Sequence, residues 1–447
     1  MMSNLLFDHP ESEPVVCQES PTRAPRLRCP DRNQMLLCPQ DVDELIAPDH
    51  PARAVWAYIE GLDLAEVYET IRAVEGAPGH PATDPKLLLA LWLYAILEGV
   101  GSARRLESLC EQHAAYRWLC GGVQVNYHTL SDFRTGFAPM LDRLLTEGAA
   151  ALMAEGLAEL KRVAQDGMRV RACAGASSFR RQPTLERCLE QAQEQVAALK
   201  AELEADPGAG TRREQKARER ATRECQERVQ RALRRVKELQ AKQDAAKDNG
   251  KKKKPVRAST TDPDATVMKM ADGGFRPAVN VQFATTTTGG VIVGVDVTHR
   301  GTDDGEITPM HGQLVQRYGQ GPEEMLVDGG FAQKAEIEAM ARTEAACTIY
   351  APVKAVRNPK NSPFAPKPGD GPGVVAWRKR MATPEAQEIY KERASTAEWT
   401  NAHARNRGLV RFTVRGRNKI RAVVLMYALV HNLFTGLRLR QMAVQAA

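Results

Sequence analysis

The chain has 447 residues, more than one hydrophobic core usually supports, so its length predicts two or three structural units. Hydrophobic residues make up 43% of it, and the longest apolar runs are shorter than the roughly 20 residues that cross a bilayer. The N-terminus lacks the basic and apolar regions of a secretory signal. These features argue against membrane and secreted classes, and we expect a cytoplasmic protein.

The net charge of +7 is unevenly distributed along the chain. Residues 211–254 contain 17 lysines and arginines against 7 acids, and residues 391–421 contain 9 against 2. The rest of the chain is therefore acidic. Clustered basic residues release counterions from a phosphate backbone, so this distribution favours a nucleic-acid partner, although either stretch alone fits a solvated surface equally well.

The first part of the chain predicts a flexible arm followed by helices. Residues 1–37 are rich in polar residues and proline and show no sustained periodicity. From 38 to 156, apolar residues recur at spacings of three and four, which predicts a helical N-terminal domain with helices over 51–59, 85–98, 103–110, 129–136 and 139–153. We expect this domain to bind DNA. The segment from His128 to Arg134 has a Thr or Ser cap followed by Arg134, as a DNA-docking helix would, which is a weak signal.

A second domain begins near residue 157 and is interrupted by an insertion. Residues 164–171, which include Asp166, alternate like a strand. Over 183–254, apolar residues follow two heptad seams, one from Leu185 to Leu203 and one from Cys225 to Leu239, separated by a helix-breaking segment at 206–210. The pattern predicts an inserted, basic, antiparallel coiled-coil hairpin that divides the domain into 157–182 and 255–435.

After the insertion, the pattern predicts a mixed sheet flanked by helices. Strands are expected over 266–270, 277–285, 291–298, 324–327 and 347–353, and helices over 308–318 and 334–341. A polar, proline-rich loop at 356–373 precedes two C-terminal helices over 385–407 and 418–444, and we take 436–447 as a tail. Three antiparallel strands followed by alternating helices and strands give an α/β fold class.

Three acids in this region are candidates for metal-dependent chemistry. Asp166 lies in the first strand, Asp328 follows an apolar strand, and Glu398 lies in the first C-terminal helix. Phosphodiester cleavage by two Mg²⁺ ions needs carboxylates that converge from separate elements, because the ions take hard oxygen ligands. Taken singly, each acid is better explained structurally, Asp328 as a turn former before Gly329 and Gly330.

The helix around Glu398 carries the most specific motif. Tyr390, Arg393, Glu398 and Arg405 resemble the Tyr-Arg-Glu-Lys signature of bacterial insertion-sequence DDE transposases, with Arg405 in the lysine position. The spacing from Arg393 to Glu398 is one residue longer than in the commonest form of that signature. The segments that start at Asp166 and Val327 resemble the two aspartate motifs of the same family, and the N-terminal helices resemble its InsH-type domain. The resemblance covers roughly residues 38–435.

The resemblance implies a ribonuclease H-like core in which Asp166, Asp328 and Glu398 bind two Mg²⁺ or Mn²⁺ ions. It implies strand cleavage at the ends of the chain's own insertion sequence and strand transfer into target DNA. The partners are then double-stranded DNA and other copies of the chain in a homo-oligomer associated with the nucleoid, with no membrane and no small-molecule substrate. Arg393 and Arg405 are implied phosphate contacts, and Tyr390 is a further implied DNA contact.

Helix geometry adds Lys391 to the predicted DNA contacts. In a regular helix, Lys391 and Arg405 lie seven residues on either side of Glu398, so all three share a face, with each base about 10 Å from the acid along the axis. Such a face can straddle a phosphate backbone. Asp296, in the strand over 291–298, is a weaker candidate for the acidic cluster, and Asp272 is better explained as a turn residue.

Three alternative functions remain open at the level of sequence. The same acids would serve a metal-dependent nuclease without strand transfer. An inactive, transposase-derived DNA-binding regulator is disfavoured because all three acids are present. A coiled-coil assembly factor is disfavoured because the predicted seams are only about three heptads long, which suits a self-packed hairpin better than an oligomerising rod.

Overall fold

The computed structural model describes residues 39, 41–74, 80–205, 211–245, 255–342, 347–356 and 362–446. The predicted arm at 1–37 and the predicted helix break at 206–210 lie outside this part of the chain. Where the elements can be compared, most of the predicted helices and strands are present, with ends that differ by a few residues.

The N-terminal part forms seven α-helices after a short 3₁₀ turn at Asp43–Leu45. They are α1 (Pro51–Glu60), α2 (Ala65–Tyr68), α3 (Pro85–Leu97), α4 (Ala103–Gln112), α5 (Ala114–Cys120), α6 (Tyr127–Gly136) and α7 (Ala138–Ala154). Helix α3 is apolar on every side and almost entirely buried, as expected for a central helix. Helix α6 starts two residues earlier than predicted, because the side chain of Asn126 caps it by accepting from Thr129 N at 2.9 Å.

A six-stranded mixed sheet lies at the centre of the protein, beside a separate pair of very short strands. The strands are β1 (Arg162–Arg171), β2 (Phe179–Arg180), β3 (Ala258–Ser259), β4 (Thr266–Lys269), β5 (Phe275–Thr286), β6 (Ile292–Thr298), β7 (Glu324–Leu326) and β8 (Thr348–Tyr350). The sheet order is β4-β5-β1-β7-β8, and β6 pairs with β5 beside β4. β1, β5 and β6 are antiparallel neighbours, whereas β7 and β8 run parallel to β1.

The insertion forms a pair of long helices, α8 (Gln182–Ala205) and α9 (Arg212–Ala245). Leu185, Ala192 and Leu199 are buried on α8, and Val229, Ala232 and Val236 are buried on α9, so the predicted seams supply much of the contact. The pair is antiparallel, since Glu202 near the end of α8 binds Arg218 near the start of α9. β2 and β3 pair at its base and hold the two ends of the insertion together.

The remaining helices are α10 (Ile307–Tyr318), α11 (Lys334–Met340), α12 (Pro372–Met381), α13 (Pro384–Arg393), α14 (Trp399–Asn406) and α15 (Arg417–Ala446). A π-helical turn, Ala394–Glu398, joins α13 to α14. The sequence prediction missed α12, because a proline-rich loop was expected up to residue 373. Pro372 instead occupies the first turn of α12, a position that proline tolerates well.

Helix α15 is the one helix in the described part of the chain that is long and apolar enough to cross a membrane by length and composition. Within the protein, 78% of its most apolar stretch is buried. It shares a continuous core with the N-terminal helices and with one face of the sheet, which includes Leu91, Val281 and Leu429. A second core, around Met325 and Trp377, includes residues of β7, α10 and α12. The boundary predicted near residue 156 stays a prediction.

Candidate active site

The register of two parallel strands brings Asp166 and Asp328 to neighbouring positions. β1 and β7 are adjacent, and Ala164 lies opposite Leu326. Asp166 lies two residues after Ala164 within β1, and Asp328 lies two residues after Leu326, just beyond the end of β7. The two acids are close enough that the charge of Asp328 adds to the effect of burial in raising the pKa of Asp166. The sequence indicated the two strands, but the pairing that brings their acids together is a property of the fold.

Asp166 is half-buried and held by three neighbours. Its Oδ1 accepts from Gly167 N at 3.0 Å and lies 3.1 Å from Arg393 Nη2, and its Oδ2 accepts from Asn401 Nδ2 at 2.9 Å. Burial raises the pKa of the Asp166 carboxyl; the charge of Arg393 opposes this shift, and the charge of Asp328 adds to it. The site therefore concentrates negative charge where water is partly excluded.

Asp328 is both a turn residue and a member of the acidic pair. Its Oδ1 accepts from Gly330 N at 2.7 Å and from Phe331 N at 3.3 Å, which is the turn role that its sequence context predicted. The same turn fixes the carboxylate beside Asp166. The structural and the site roles of Asp328 are therefore compatible.

Glu398 reaches the site from the π-helical turn between α13 and α14. A π turn is an α-helix that accommodates one extra residue, and such turns occur frequently at functional sites. The turn spans the segment in which the sequence has one residue more than the commonest signature spacing. The extra residue is absorbed locally, so Arg393 and Glu398 stay on the side of the helix that faces Asp166.

Arg393 connects two of the three acids. Its guanidinium lies 3.1 Å from Asp166 and 3.4 Å from Glu398 Oε1, with 11% of its side chain exposed, whereas the Glu398 side chain is 64% exposed. The pair with Asp166 is the shielded one, and the pair with Glu398 is open to solvent screening. The Nε of Arg393 is buried without a hydrogen-bond partner among the described residues.

Tyr390 also lies within reach of the three acids. Burial raises the pKa of its hydroxyl, and the charges of Asp328, Asp166 and Glu398 raise it further, while Arg393 lowers it. Its hydroxyl is therefore protonated at neutral pH and can donate a hydrogen bond to an anionic ligand.

The other predicted DNA contacts have different surroundings. Arg405 is exposed and follows Glu398 by seven residues of regular helix, so these two share a face as predicted. The shared face does not extend to Lys391, because the π turn lies between Lys391 and Glu398 and changes the angular relation. Lys391 pairs with Glu388 at 2.6 Å, and Glu385 and Glu392 line the same shallow surface.

Arg134 is buried and has a packing role. Its Nη1 donates to Gly101 O at 2.6 Å and to Thr413 Oγ1 at 3.2 Å, and its guanidinium lies 4.6 Å from the centre of the Trp92 ring. A guanidinium enclosed in this way does not reach a DNA backbone. This burial corrects the sequence prediction of a DNA contact at Arg134.

Two polar residues at the site escaped the sequence analysis. Asn401 lies three residues after Glu398, a spacing that places both on one side of a helix, and this spacing was the available signal. Asp303 packs behind Gly167, where an added Cβ would lie 2.0 Å from its Oδ1. The signal for Asp303 was the glycine inside a strand, which marks a close approach.

Asp296 and Asp272 each pair with a nearby arginine. Asp296, the weaker candidate for the acidic cluster, binds Arg417 at 3.0 Å. Asp272 binds Arg276 at the turn between β4 and β5, in agreement with its predicted role as a turn residue. Neither aspartate contacts Asp166 or Asp328 among the hydrogen bonds and ion pairs of the described residues.

The donor set around Asp166 suits a hard divalent cation, which prefers oxygen ligands. The carboxylates of Asp166 and Asp328 are neighbours, and the buried Oδ1 of Asn401, whose Nδ2 binds Asp166, has no hydrogen-bond partner in the described part of the chain. Arg393 lies between Asp166 and Glu398. Among the described residues, no group of three Asp, Glu, His or Cys side chains is close enough together to hold one metal ion. A divalent ion bound here would share the carboxylate oxygens of Asp166 and Glu398 with Arg393.

Comparison with known families adds two matches. A family described as "Transposase domain (DUF772)" matches residues 40–136, which contain α1 to α6, and one described as "Transposase DDE domain" matches residues 374–435. The second segment contains Tyr390, Arg393, Glu398 and Arg405, whereas Asp166 and Asp328 lie outside both. No curated protein and no solved structure was found to match the chain. DDE transposase domains typically use divalent metal ions. Taken together, the two family matches, which cover 159 of the 447 residues, support an insertion-sequence DDE transposase.

Proposed function

We propose that this transposase binds the ends of its own insertion sequence, cleaves DNA strands there and transfers them into target DNA. The observation that carries this proposal is the parallel register of β1 and β7, which makes Asp166 and Asp328 neighbours beside the helix of Glu398. The order β6-β5-β1-β7-β8, with three antiparallel strands followed by two parallel ones, supports a ribonuclease H-like core.

In this proposal, Asp166, Asp328 and Glu398 are the catalytic residues and hold two Mg²⁺ or Mn²⁺ ions. Bound divalent ions would activate the attacking water or 3′-hydroxyl and stabilise charge on the leaving oxygen. The turn at Gly330 and Phe331 fixes the Asp328 carboxylate, and Asn401 fixes that of Asp166. Positioning of this kind lets the ligands act without reorganising during the reaction.

The basic and hydroxyl groups next to the acids have a separate role. Arg393 and Tyr390 lie beside the carboxylates and are suited to hold the phosphate that is cleaved, and Arg405 lies two helical turns beyond Glu398, where the backbone would continue. Lys391 stays a weaker proposal because Glu388 already neutralises it. Paired DNA ends require at least two sites, so we include a homo-oligomer acting in the cytoplasm at the nucleoid.

The test is metal-dependent cleavage of a labelled duplex that carries the sequence flanking this gene. We expect nicking with Mg²⁺ by the parent chain and its loss in Asp328→Ala and Glu398→Ala, at matched DNA binding. The control is Glu388→Ala, which removes an exposed acid from the same helical segment and should leave nicking unchanged. Cutting that persists in both site variants would overturn the assignment of the acids.

A nuclease without strand transfer would pass that test, so the products need a second readout. The cleaved 3′ ends are incubated with a supercoiled target plasmid, and joined molecules are separated on a gel. Joined product that requires Glu398 supports transposition. Cleavage without any joined product, across Mg²⁺ and Mn²⁺, would favour the nuclease.

A further inference from the structure

The far end of β1 carries two arginines side by side. Arg171, the last residue of β1, forms a parallel bridge with Arg411, fixed by hydrogen bonds from Arg171 N to Val410 O at 3.1 Å and from Phe412 N to Arg171 O at 2.8 Å. Both side chains are exposed, and neither forms an ion pair within the described residues. Like charges in opposed positions repel each other. The pKa of Asp272 is lowered mainly by its hydrogen bond from Arg276 and in part by the charge of Arg171, so one acid partly offsets the pair.

Further cations surround this pair. The segments 169–171, 269–276 and 410–411, which we call the sheet-end surface, contain five lysines and arginines and a single carboxylate, Asp272. Asp272 is already bound by Arg276 through both carboxylate oxygens, at 2.6 and 2.7 Å. Arg169 donates to Lys269 O at 3.0 Å and thereby connects β1 to the end of β4. The surface therefore has excess positive charge.

An aromatic residue stands at the same end of the sheet. Phe275 is 71% exposed, the second highest value among the exposed large apolar residues of the described chain, and it lies opposite Lys269 in the β4–β5 pairing. Arg171 pairs with Ala278, three residues later in β5, so Phe275 projects from the other face of the sheet at the tip of the β4–β5 hairpin. Exposed aromatic rings beside cations are a feature of nucleic-acid interfaces, where the ring contacts bases or sugars and the cations contact phosphates.

We propose that the sheet-end surface is a second DNA-binding surface, in which Arg171 and Arg411 bind the phosphate backbone of a duplex and Phe275 contacts the neighbouring sugars and bases. The inference rests on the proposed function, because it takes DNA as the substrate. Arg171 follows Asp166 by five residues of strand, a separation of about 17 Å, so the surface anchors DNA and takes no part in the chemistry.

The experiment measures DNA affinity against salt concentration for the double variant Arg171→Gln/Arg411→Gln. Each lost phosphate contact lowers the slope of log K against log salt by about 0.9, so the slope should fall by about 2. The matched control is Lys161→Gln/Lys367→Gln, which removes two exposed cations elsewhere and should leave the slope unchanged. Phe275→Ala should weaken binding by about fivefold or more with little effect on the slope.

Thermal unfolding without DNA separates a binding role from a structural one. Removing the opposed arginines should leave the melting temperature of the double variant equal to or above that of the parent, because a repulsion is lost. A lower melting temperature with an unchanged salt slope would overturn the inference and give the pair a structural role. The inference would also be overturned if the slope of Arg171→Gln/Arg411→Gln fell no further than the slope of the control double variant.

Failure of this inference is distinguishable from failure of the proposed function. If the parent binds DNA and nicks it through Asp328 and Glu398, but the double variant keeps the parent slope, only the second surface is wrong. If the double variant shows the predicted fall in slope but cutting by the parent does not need those acids, the catalytic assignment is wrong and the surface stands. A parent chain that does not bind DNA overturns both.

Discussion

The guanidinium of Arg393 lies 3.1 Å from Asp166 and 3.4 Å from Glu398, so a single cation bridges two of the three acids. This position places a positive charge where a divalent ion would also interact with the carboxylates. The two cations then compete for the same oxygens, because like charges at short range repel in a partly buried site. Metal binding and the position of Arg393 should therefore be coupled.

The coupling predicts that Arg393→Gln binds Mn²⁺ several-fold more tightly than the parent in the absence of DNA. The rate of DNA nicking should fall by on the order of 10²-fold, because the substitution removes a phosphate contact. The measurement is the rise in melting temperature with increasing Mn²⁺, because a ligand that binds the folded state stabilises it. Arg393→Lys keeps the charge and should lie closer to the parent. A smaller Mn²⁺ effect in Arg393→Gln would instead mean that Arg393 orients the carboxylates for the metal.

The raised pKa of Asp166 predicts a stabilising substitution. Because burial, its largest cause, raises the folded pKa above the model-peptide value of 3.8, the folded state favours the protonated acid, and stability falls as pH rises through that folded pKa. Asp166→Asn removes this cost, so at neutral pH the melting temperature of the metal-free protein should rise by on the order of one or two degrees.

The gain should disappear as the pH falls below the unfolded pKa, since Asp166 is then protonated in both states. Thermal unfolding at a series of pH values, with chelator present, measures this difference. Asp370→Asn is a control with the opposite expected sign. The pKa of the Asp370 carboxyl is lowered to about 2, mainly by a hydrogen bond from Lys334, so the charged form stabilises the fold and its removal should destabilise the protein at neutral pH. A destabilised Asp166→Asn at neutral pH would contradict the prediction.

The π turn predicts that one deletion in the helix that carries Glu398 is tolerated. Deleting Ser395, an exposed residue within the turn, should convert the π turn to an α-helical one and keep Arg393 and Glu398 on the same side. We expect a melting temperature within a few degrees of the parent and retention of metal-dependent nicking. Circular dichroism and the nicking assay are the measurements.

Deleting Ala402, an exposed residue in the regular helix α14, is the matched control. It should rotate the following residues by about 100° and displace Ala404 from the core, because a regular helix has no surplus residue to lose. Both deletions remove one small exposed residue. Equal damage by the two would show that the π turn does not act as an absorbed insertion.

The sequence predicted the secondary structure of the catalytic region well, because strands β5 and β6 and helices α10 and α11 have clear periodicity. It did not predict the neighbours of Asp166. The strand register that aligns Asp328, the amide of Asn401 and the approach of Asp303 to Gly167 depend on which elements pair in three dimensions. Local periodicity carries no information about such pairings.

The predicted DNA contact at Arg134 departs from the structure for a related reason. A basic residue near a helix start fits a DNA-docking helix, and Arg134 has that position in the sequence. The Arg134 guanidinium donates to Thr413, which lies 279 residues later in the sequence. Packing against this distant segment buries a side chain that the local sequence pattern placed at the surface. Long-range packing decided the role of the residue.

Burial of Arg134 leads to a prediction that separates stability from DNA binding. Arg134→Met should fold less stably by about 2–4 kcal/mol, because Gly101 O loses its arginine donor and the contact with Trp92 is lost. The salt dependence of DNA binding should stay that of the parent. Urea unfolding and DNA titration measure the two effects. A reduced slope with unchanged stability would restore the original prediction of a DNA contact.

The inserted helices should be removable without loss of the core. The pairing of Phe179 with Ser259 holds the two ends of the insertion together, so residues 184–254 can be replaced by a short glycine-serine linker. The described helices bury their apolar side chains mainly in a small cluster of their own, which includes Leu185 and Val236. The shortened chain should therefore keep its cooperative unfolding transition.

Because the insertion contributes a basic arm, its removal should weaken the binding of DNA ends or the assembly of the protein. Gel shift measures the binding, and sedimentation measures the assembly. End binding and assembly equal to those of the full chain would show that the insertion serves neither.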